Sequence, residues 1–151
     1  MSGYLLDTNH CSSLLKGHPS LIHKLEDLGD APTVTCVIVQ GELAYMAQKS
    51  EQPSTNAERV SQFLRGIEVL PVDRDTADRY GELKAAVIER FGPREKARRK
   101  RTRLADLGFQ ENDLWIAAVA QRHGLTVLTA DSDFARLSRL NDIAVENWLA
   151  E

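Results

Sequence analysis

NDLWIAAVAQRHGLTVLTAD, residues 112–131, contains signals for a helix, a turn and a strand in immediate succession. Asn112 is predicted to cap the start of the helix, and Gly124 to end it, because glycine readily adopts the left-handed conformation found there. The helix is expected to bury its apolar positions Leu114, Ile116, Ala117, Val119 and Ala120. Residues 126–129 are rich in β-branched side chains and predict a strand. The strand leads directly to an acid, Asp131.

The same alternation of strands and helices continues outward through the rest of the chain. Short apolar or β-branched runs predict further strands at 4–6, 33–35 and 67–70. Apolar residues at helical spacing predict helices after Pro19, over 37–48, after a loop at 50–56, and over 73–90. Strands that alternate with helices favour an α/β fold with a central parallel sheet covered on both faces.

Length and composition limit the classes of protein to which the chain can belong. A chain of 151 residues, 42% hydrophobic and 27% charged, has the size expected of one domain. No apolar run approaches the roughly 20 residues of a membrane span, and the opening MSGYLLDTN lacks the features of a secretory signal. A cytoplasmic protein without membrane contact is therefore expected. Cys11 and Cys36 are expected to be buried small apolar side chains rather than disulfide or zinc partners.

The net charge of −3 conceals a strongly basic segment at residues 94–103, REKARRKRTR. Seven basic residues against one Glu give this basic segment a charge of +6, so the remainder of the chain carries −9. Such asymmetry favours contact with a polyanion, although a run of charge can also be only a solvated face. The candidate side chains for contact with a polyanion such as nucleic acid are Arg94, Lys96, Arg98, Arg99, Lys100, Arg101 and Arg103.

Four acids follow predicted strands or begin predicted helices. Asp7 follows the strand at 4–6, Asp131 follows the strand at 126–129, Asp113 lies in a first helical turn, and Glu42 lies in the early turns of the helix at 37–48. In a parallel α/β sheet, ligands bind beyond the carboxyl ends of the strands. The four carboxylates, from distant parts of the chain, are therefore expected to meet at one edge of the sheet.

A cluster of carboxylates favours a divalent cation, because like charges within about 4 to 6 Å oppose one another's ionisation. Mg²⁺ and Mn²⁺ prefer such oxygen ligands, whereas the four histidines lack the paired spacing typical of zinc. Taken singly, however, each acid could be a helix cap, a surface residue or a turn former. A phosphatase of the haloacid dehalogenase type is a weaker alternative, because Asn9 stands where that family has a second Asp.

Five stretches give the chain a resemblance to a known family: LLDTN at 5–9, VQGELAYMA at 39–47, NDLWIAAVA at 112–120, VLTADSDFARL at 127–137 and ENWL at 146–149. In this order and spacing they resemble the PIN-domain nucleases, and in particular the VapC-type ribonuclease toxins of toxin–antitoxin pairs. The resemblance implies a three-layer α/β/α fold over residues 1–151, with a basic insertion at about 92–111. It also implies an endoribonuclease toxin of a type II pair that cleaves RNA with Mg²⁺- or Mn²⁺-activated water.

The resemblance also implies roles for individual residues and partners. The catalytic and metal-binding acids would be Asp7, Glu42, Asp113 and Asp131, with Asp133 sharing or replacing the role of Asp131. The groups that orient these acids would be Thr8, Asn9, Asn112 and Thr129. Expected partners are an RNA substrate, a VapB-like antitoxin and a second copy of the chain. A PIN-fold RNA-processing nuclease outside such a pair, or a binding module without activity, stays an alternative.

Overall fold

A computed structural model describes residues 3–140 and 143–149, and this part of the chain contains a five-stranded parallel sheet. The strands, in chain order, are β1 Gly3–Leu6, β2 Thr33–Cys36, β3 Glu68–Leu70, β4 Leu125–Leu128 and β5 Ala144–Glu146. Their order across the sheet is β3-β2-β1-β4-β5, and every neighbouring pair is parallel. The predicted α/β fold with a central parallel sheet is confirmed.

Eight α-helices connect and cover these strands within the described residues. They are α1 Thr8–Leu15, α2 Pro19–Asp27, α3 Val37–Gln48, α4 Pro53–Arg65, α5 Arg74–Phe91, α6 Lys96–Lys100, α7 Glu111–His123 and α8 Ser132–Leu137. A short 3₁₀ helix, Leu104–Leu107, lies between α6 and α7. Together with the sheet, the helices give the three-layer arrangement that the resemblance implied. No helix among the described residues combines the length and apolar character needed to cross a membrane.

The core lies where the central strands meet α7. Leu5 and Leu6 of β1, and Val127 and Leu128 of β4, are fully buried, as expected for parallel strands covered on both faces. The five apolar positions predicted for α7 are also buried, each at most 2% exposed. Gly124 ends this helix with a φ of +65°, as predicted. The sequence 112–131 therefore forms the centre of the molecule.

Both cysteines are buried as small side chains, as predicted. Cys11 of α1 and Cys36 of β2 are fully buried and free. Burial raises the pKa of the Cys11 thiol to about 12 and that of Cys36 to about 11. The two thiols are therefore neutral at physiological pH and pack as apolar groups.

Some predicted bounds are shifted by one residue, and three larger differences bear on the fold. Gln110, not Asn112, is the N-cap of α7, because the chain is extended at Gln110 and turns helical at Glu111. The predicted loop at 50–56 already contains the start of α4 at Pro53, since proline lacks an N–H and suits the first helical position. The short edge strand β5 was not predicted at all; its pairing with β4 holds it in place.

The parallel topology places the ends of β1, β2 and β4 at the same edge of the sheet. Asp7 directly follows β1, and Asp131 lies three residues after the end of β4. Helix α3, which carries Glu42, begins immediately after β2. The edge of the sheet beyond these strands is therefore where the predicted acids can meet.

Candidate active site

Asp7 connects the end of β1 to the start of α1. Its carboxylate caps α1 by accepting a hydrogen bond from the backbone N–H of Thr8 at Oδ1, 2.7 Å away. At Oδ2 it accepts a hydrogen bond from the hydroxyl of Thr129, also at 2.7 Å. Burial raises the pKa of Asp7, and the hydrogen bonds from Thr129 and Thr8 oppose that rise. Two donors thus hold a buried carboxylate in one orientation at the floor of the site.

Asp113 occupies the first turn of α7 and is 5% exposed. Its Oδ2 atom is buried and has no hydrogen-bond partner among the described residues. Burial, followed by the nearby charges of Asp131 and Asp7, raises the pKa of Asp113 to about 8. A buried acceptor without a donor is costly to keep, so this atom lacks the partner that its position requires.

Asp131 and Asp133 complete a compact group with Asp113. Asp131 caps the start of α8, where its Oδ1 accepts a hydrogen bond from the backbone N–H of Asp133 at 2.9 Å. One carboxylate oxygen from each of Asp113, Asp131 and Asp133 lies within 4.8 Å of the other two. The sequence left open which of Asp131 and Asp133 joins the site, and the structure brings both to Asp113.

Glu42 lies at the second turn of α3, beside the start of α1. Its Oε1 atom accepts a hydrogen bond from the hydroxyl of Thr8 at 2.8 Å. Glu42 lines the same open depression of 470 Å³ as Asp7, Asp113 and Asp131. The four acids predicted from distant parts of the sequence therefore share one depression, with Glu42 at some remove from the three-carboxylate group.

Thr129 and Asn9 connect the acidic residues through hydrogen bonds. The Thr129 hydroxyl donates to Asp7 and accepts from the backbone N–H of Asp131 at 3.0 Å. The Asn9 side chain donates to that hydroxyl at 3.4 Å and accepts from the backbone N–H of Ala130 at 3.1 Å. Both residues, together with Thr8, therefore lie where orienting groups were predicted.

Asn112 has a different position from the other predicted orienting groups. Its side chain is exposed and lines a neighbouring groove with Thr8 and Glu42, outside the depression that contains Asp113. Gln110, which was not predicted, lines that depression instead. This difference follows from the earlier start of α7, which places Asn112 within its first turn rather than at its cap.

His10 is a buried polar residue that connects Asn9 of the site to Trp148. Its Nε2 accepts a hydrogen bond from the backbone N–H of Trp148 at 3.2 Å, and its Nδ1 lies 2.8 Å from Asn9 Oδ1. Burial lowers the pKa of His10 to about 4, so the ring is neutral and Nδ1 carries the proton that it donates to Asn9. The sequence showed only that the histidines lack zinc-site spacing, and it gave no sign of this hydrogen bond to Trp148.

The basic segment, residues 94–103, forms α6 and the turns around it. Most of its Lys and Arg side chains are exposed, but Arg99 is half-buried. The Arg99 guanidinium donates to the carbonyls of Pro93 and Arg94, at 3.3 and 2.5 Å, and so stabilises the turn before α6. Arg103 pairs with Asp106 at 3.1 Å. Arg99 and Arg103 therefore have partners within the chain, which the sequence did not reveal.

Comparison with known proteins identifies the family. The family model of the PIN domain matches residues 4–140. The chain belongs to the PIN domain family. It is 29% identical to the tRNA(fMet)-specific endonuclease VapC of Salmonella typhimurium, over 98% of this chain and 99% of the relative. It is 30% identical to Ribonuclease VapC2 of Rickettsia felis, over 96% of this chain and 97% of that one.

Solved structures agree with this PIN-domain assignment. A chain in the crystal structure of VapBC2 from Rickettsia felis, bound to a DNA fragment from their promoter, superposes with a TM-score of 0.76 and 26% identity. The superposition covers 96% of this PIN domain chain and 98% of that chain. The resemblance to VapC-type PIN domains that the sequence motifs indicated is therefore confirmed.

Proposed function

We propose that this PIN domain protein is a Mg²⁺- or Mn²⁺-dependent endoribonuclease and the toxin of a VapBC-type toxin–antitoxin pair. The observation that carries the proposal is the Asp113 carboxylate: its buried Oδ2 has no hydrogen-bond partner among the described residues, and one of its oxygens lies within 4.8 Å of oxygens of Asp131 and Asp133. The names of the VapC relatives support ribonuclease activity.

The chemistry of the acidic residues fits a divalent cation. Asp113, Asp131 and Asp133 offer oxygen atoms close enough to share one ion, and oxygen is the ligand that Mg²⁺ and Mn²⁺ prefer. A cation would give the Asp113 carboxylate a partner and would favour its ionised form against the burial and the repulsion by Asp131 and Asp7 that raise its pKa. Asp113, Asp131 and Asp133 would hold the ion, with Asp7 and Glu42 beside it in the same depression.

The chain itself supplies the orientation of these groups. The Thr129 hydroxyl fixes the Asp7 carboxylate and the backbone of Asp131 at once, because it donates to one and accepts from the other. The Thr8 hydroxyl fixes Glu42 at the rim of the depression. When bound, Mg²⁺ or Mn²⁺ would activate water and offset charge that develops at the phosphodiester. A phosphodiester that enters the depression would therefore meet carboxylates already held in place.

We further propose that the basic segment contacts the backbone of the RNA substrate. Arg98, Lys100 and Arg101 are exposed, and no carboxylate of the described residues lies within ion-pair distance of them. Their charge is therefore available to phosphates, which bind Lys and Arg with little dependence on base sequence. No aromatic residue lies between Arg94 and Arg103, which favours contact with phosphates over stacking on bases.

The partners proposed for this function are a VapB-like antitoxin and a second copy of the chain, in the cytoplasm. The VapBC2 crystal structure supports an antitoxin, because that neighbour is itself a VapBC protein. An arginine of the antitoxin would suit the acidic depression, since a guanidinium pairs with carboxylates through two parallel hydrogen bonds. The match of the PIN domain family over residues 4–140 supports a single domain.

The central test is cleavage of a labelled RNA by the purified chain, first in excess EDTA and then after addition of Mg²⁺ or Mn²⁺. We expect cleavage only when the cation is present, and loss of cleavage in Asp7→Asn. Asp78→Asn, which removes an exposed carboxylate on α5, is the matched control and should cleave like the wild type. Undiminished cleavage in EDTA or in Asp7→Asn would contradict the proposal.

The toxin role has a separate test. Expression of the chain in growing bacteria should arrest growth, and co-expression of a small antitoxin gene from the neighbouring reading frame should relieve the arrest. Growth arrest that persists with Asp7→Asn would argue against a ribonuclease toxin. RNA binding without any cleavage would instead indicate a binding module.

A further inference from the structure

Arg136 lies on α8, one turn after Asp133, and faces the acidic residues. Its Nη1 atom is 3.7 Å from Asp133 Oδ1. Its side chain is 33% exposed, and that of Asp133 is 24% exposed, so the pair lies partly below the surface. A partly exposed ion pair at this distance adds little stability by itself. The role of Arg136 therefore depends on its other contacts.

The same guanidinium is held by the chain segment that precedes α7. Arg136 Nη2 donates a hydrogen bond to the carbonyl of Leu107 at 2.8 Å. The guanidinium carbon lies 3.9 Å from the ring centre of Phe109 and 5.2 Å from that of Phe91. Phe109 is 3% exposed, and its ring centre is 5.4 Å from that of Phe91. The face of the Arg136 guanidinium thus packs on the two phenylalanine rings, and its edge donates to the carbonyl of Leu107.

These contacts join α8, which carries Asp133, to the segment before α7, which carries Asp113. Leu107 and Phe109 lie immediately before α7, which begins at Glu111 and carries Asp113 in its first turn. Arg136 belongs to α8, which carries Asp133. Gly108 makes the turn between Leu107 and Phe109 with a φ of +79°, which favours glycine. One guanidinium therefore links α8 to the segment that leads into α7.

We propose that Arg136 is a positioning residue that fixes Asp133 relative to Asp113, so that the carboxylates can share a divalent cation. This proposal rests on the proposed metal-dependent function. It requires arginine in particular, because a planar guanidinium can stack on Phe109 while its edge donates to the carbonyl of Leu107 and lies within ion-pair distance of Asp133. A lysine would keep the charge but could not stack on Phe109 and bond the Leu107 carbonyl while it stays beside Asp133.

Charge alone predicts the opposite effect on cation binding. A positive group 3.7 Å from Asp133 repels a divalent cation, so its removal should tighten binding if Arg136 acts only through charge. If Arg136 positions Asp133, its removal should weaken binding because the carboxylates lose their fixed spacing. The direction of the change therefore separates the two roles.

The test is calorimetric titration of the full chain with Mn²⁺, together with thermal unfolding in EDTA. The variants are Arg136→Lys, which keeps the charge, and Arg136→Met, which removes it while keeping an apolar stem. Arg139→Met removes an exposed charge from the residues just after α8 and is the matched control. We expect both Arg136 variants to weaken Mn²⁺ binding about tenfold, as is typical when a group that orients metal ligands is lost. The control should bind like the wild type.

Three results would overturn the assignment of Arg136. Tighter Mn²⁺ binding by Arg136→Met, with Arg136→Lys unchanged, would show that only charge acts. A lower melting temperature with unchanged Mn²⁺ affinity in both variants would show that Arg136 only packs α8 against Phe109. Absence of Mn²⁺ binding by the wild type would overturn the metal-dependent function and this role with it, whereas the first two results leave that function intact.

Discussion

The carboxylates at the two ends of α7 have opposite surroundings. At its N-terminal end, the buried Oδ2 atom of Asp113 has no hydrogen-bond partner among the described residues, and burial raises the pKa of Asp113. At its C-terminal end, Arg122 pairs with Asp73 and Asp75 of the α5 region, at 3.4 and 3.1 Å. The pKa of Asp73 is lowered, first by hydrogen bonds from Thr76 and further by Arg122.

Hydrogen bonds and ion pairs distinguish a structural carboxylate, such as Asp73, from a candidate metal ligand, such as Asp113. Asp73 caps α5 by accepting from the backbone N–H of Thr76, pairs with Arg122 and is partly exposed, so the chain itself stabilises its ionised form. The Oδ2 atom of Asp113 has no such partner in the part of the chain that the structure describes, and burial beside Asp131 and Asp7 disfavours the ionised form of Asp113 in metal-free protein. Helix α7 therefore makes structural ion pairs at its C-terminal end and carries a candidate metal ligand at its N-terminal end.

The largest effect should come from replacing the unpaired acid. We expect Asp113→Asn to lower the rate of RNA cleavage in Mg²⁺ by roughly 10²- to 10³-fold, the loss typical of a group that supports charge in the transition state. Single-turnover cleavage of a labelled RNA measures this change. A rate within a fewfold of the wild type would mean that the N-terminal end of α7 is no more functional than the C-terminal end.

The raised pKa of Asp113 should make the stability of the metal-free protein depend on pH. The pKa of Asp113 is about 8 in the folded chain and near the ordinary 3.8 in the unfolded chain, so between these values the unfolded chain has lost a proton that the folded chain retains. Stability should therefore fall as pH rises from about 4 to 8. Asp113→Asn should reduce this fall and be more stable than the wild type at pH 8.5, with a smaller fall remaining because the pKa of Asp7 is also raised.

Urea unfolding in EDTA at pH 5 and pH 8.5 measures this effect. Asp78→Asn, an exposed acid on α5, should retain the pH dependence of the wild type. Addition of Mg²⁺ should stabilise the wild type more at pH 8.5 than at pH 5, because the cation must displace the proton at low pH. Equal slopes in the wild type and Asp113→Asn would contradict the unpaired state of this acid.

The basic segment extends the comparison from acids to bases. Arg122 has its charge satisfied by two carboxylates, whereas Arg98 and Arg101 have no such partner among the described residues. Replacing both Arg98 and Arg101 with Ala should lower RNA affinity and reduce the slope of log affinity against log salt by about 1.4 for a single strand. Filter binding at several salt concentrations gives the slope.

The control for the basic segment removes two exposed charges elsewhere, in Lys24→Ala with Arg74→Ala. These residues lie on α2 and at the start of α5. If the control lowers the salt slope as much as the Arg98 and Arg101 pair does, RNA contact is not concentrated in the basic segment.

The smallest effect should follow a change at the structural end of α7. Arg122→Ala should leave RNA cleavage unchanged and lower the melting temperature by less than about 3 °C, because exposed ion pairs contribute little. Circular dichroism melting checks the stability, and the same RNA assay checks the activity. A large loss of activity would remove the distinction between the two ends of the helix.

Local patterns were enough to predict most of the secondary structure. The buried run of β1, the bounds of α3 at 37–48 and the end of α7 at Gly124 follow from apolar spacing and turn residues. The N-cap of α7 was predicted wrongly, because capping depends on the backbone that leads into the helix, and the extended backbone at Gln110 comes from the preceding turn. The strand β5, three residues long, carries too little pattern to be predicted without its neighbour β4.

The acids of the candidate site could be predicted from the sequence, but the residues that hold the surrounding segments in place could not. Acids after strands and at helix starts are visible in the sequence, and a parallel sheet brings such positions to one edge. The hydrogen bond of His10 to Trp148, 138 residues away, leaves no local pattern in the sequence. The same is true of the contacts of Arg136 with Leu107 and Phe109.

The sequence by itself determined the parallel α/β arrangement, the buried helix α7 and the identity of the acids, because these follow from residue types and spacing along the chain. Only the tertiary structure decided that both Asp131 and Asp133 reach Asp113, and that Asp113 Oδ2 is left without a donor among the described residues. The physical reason is that a carboxylate is paired or unpaired according to neighbours that the fold brings from elsewhere. Sequence spacing contains no record of those neighbours.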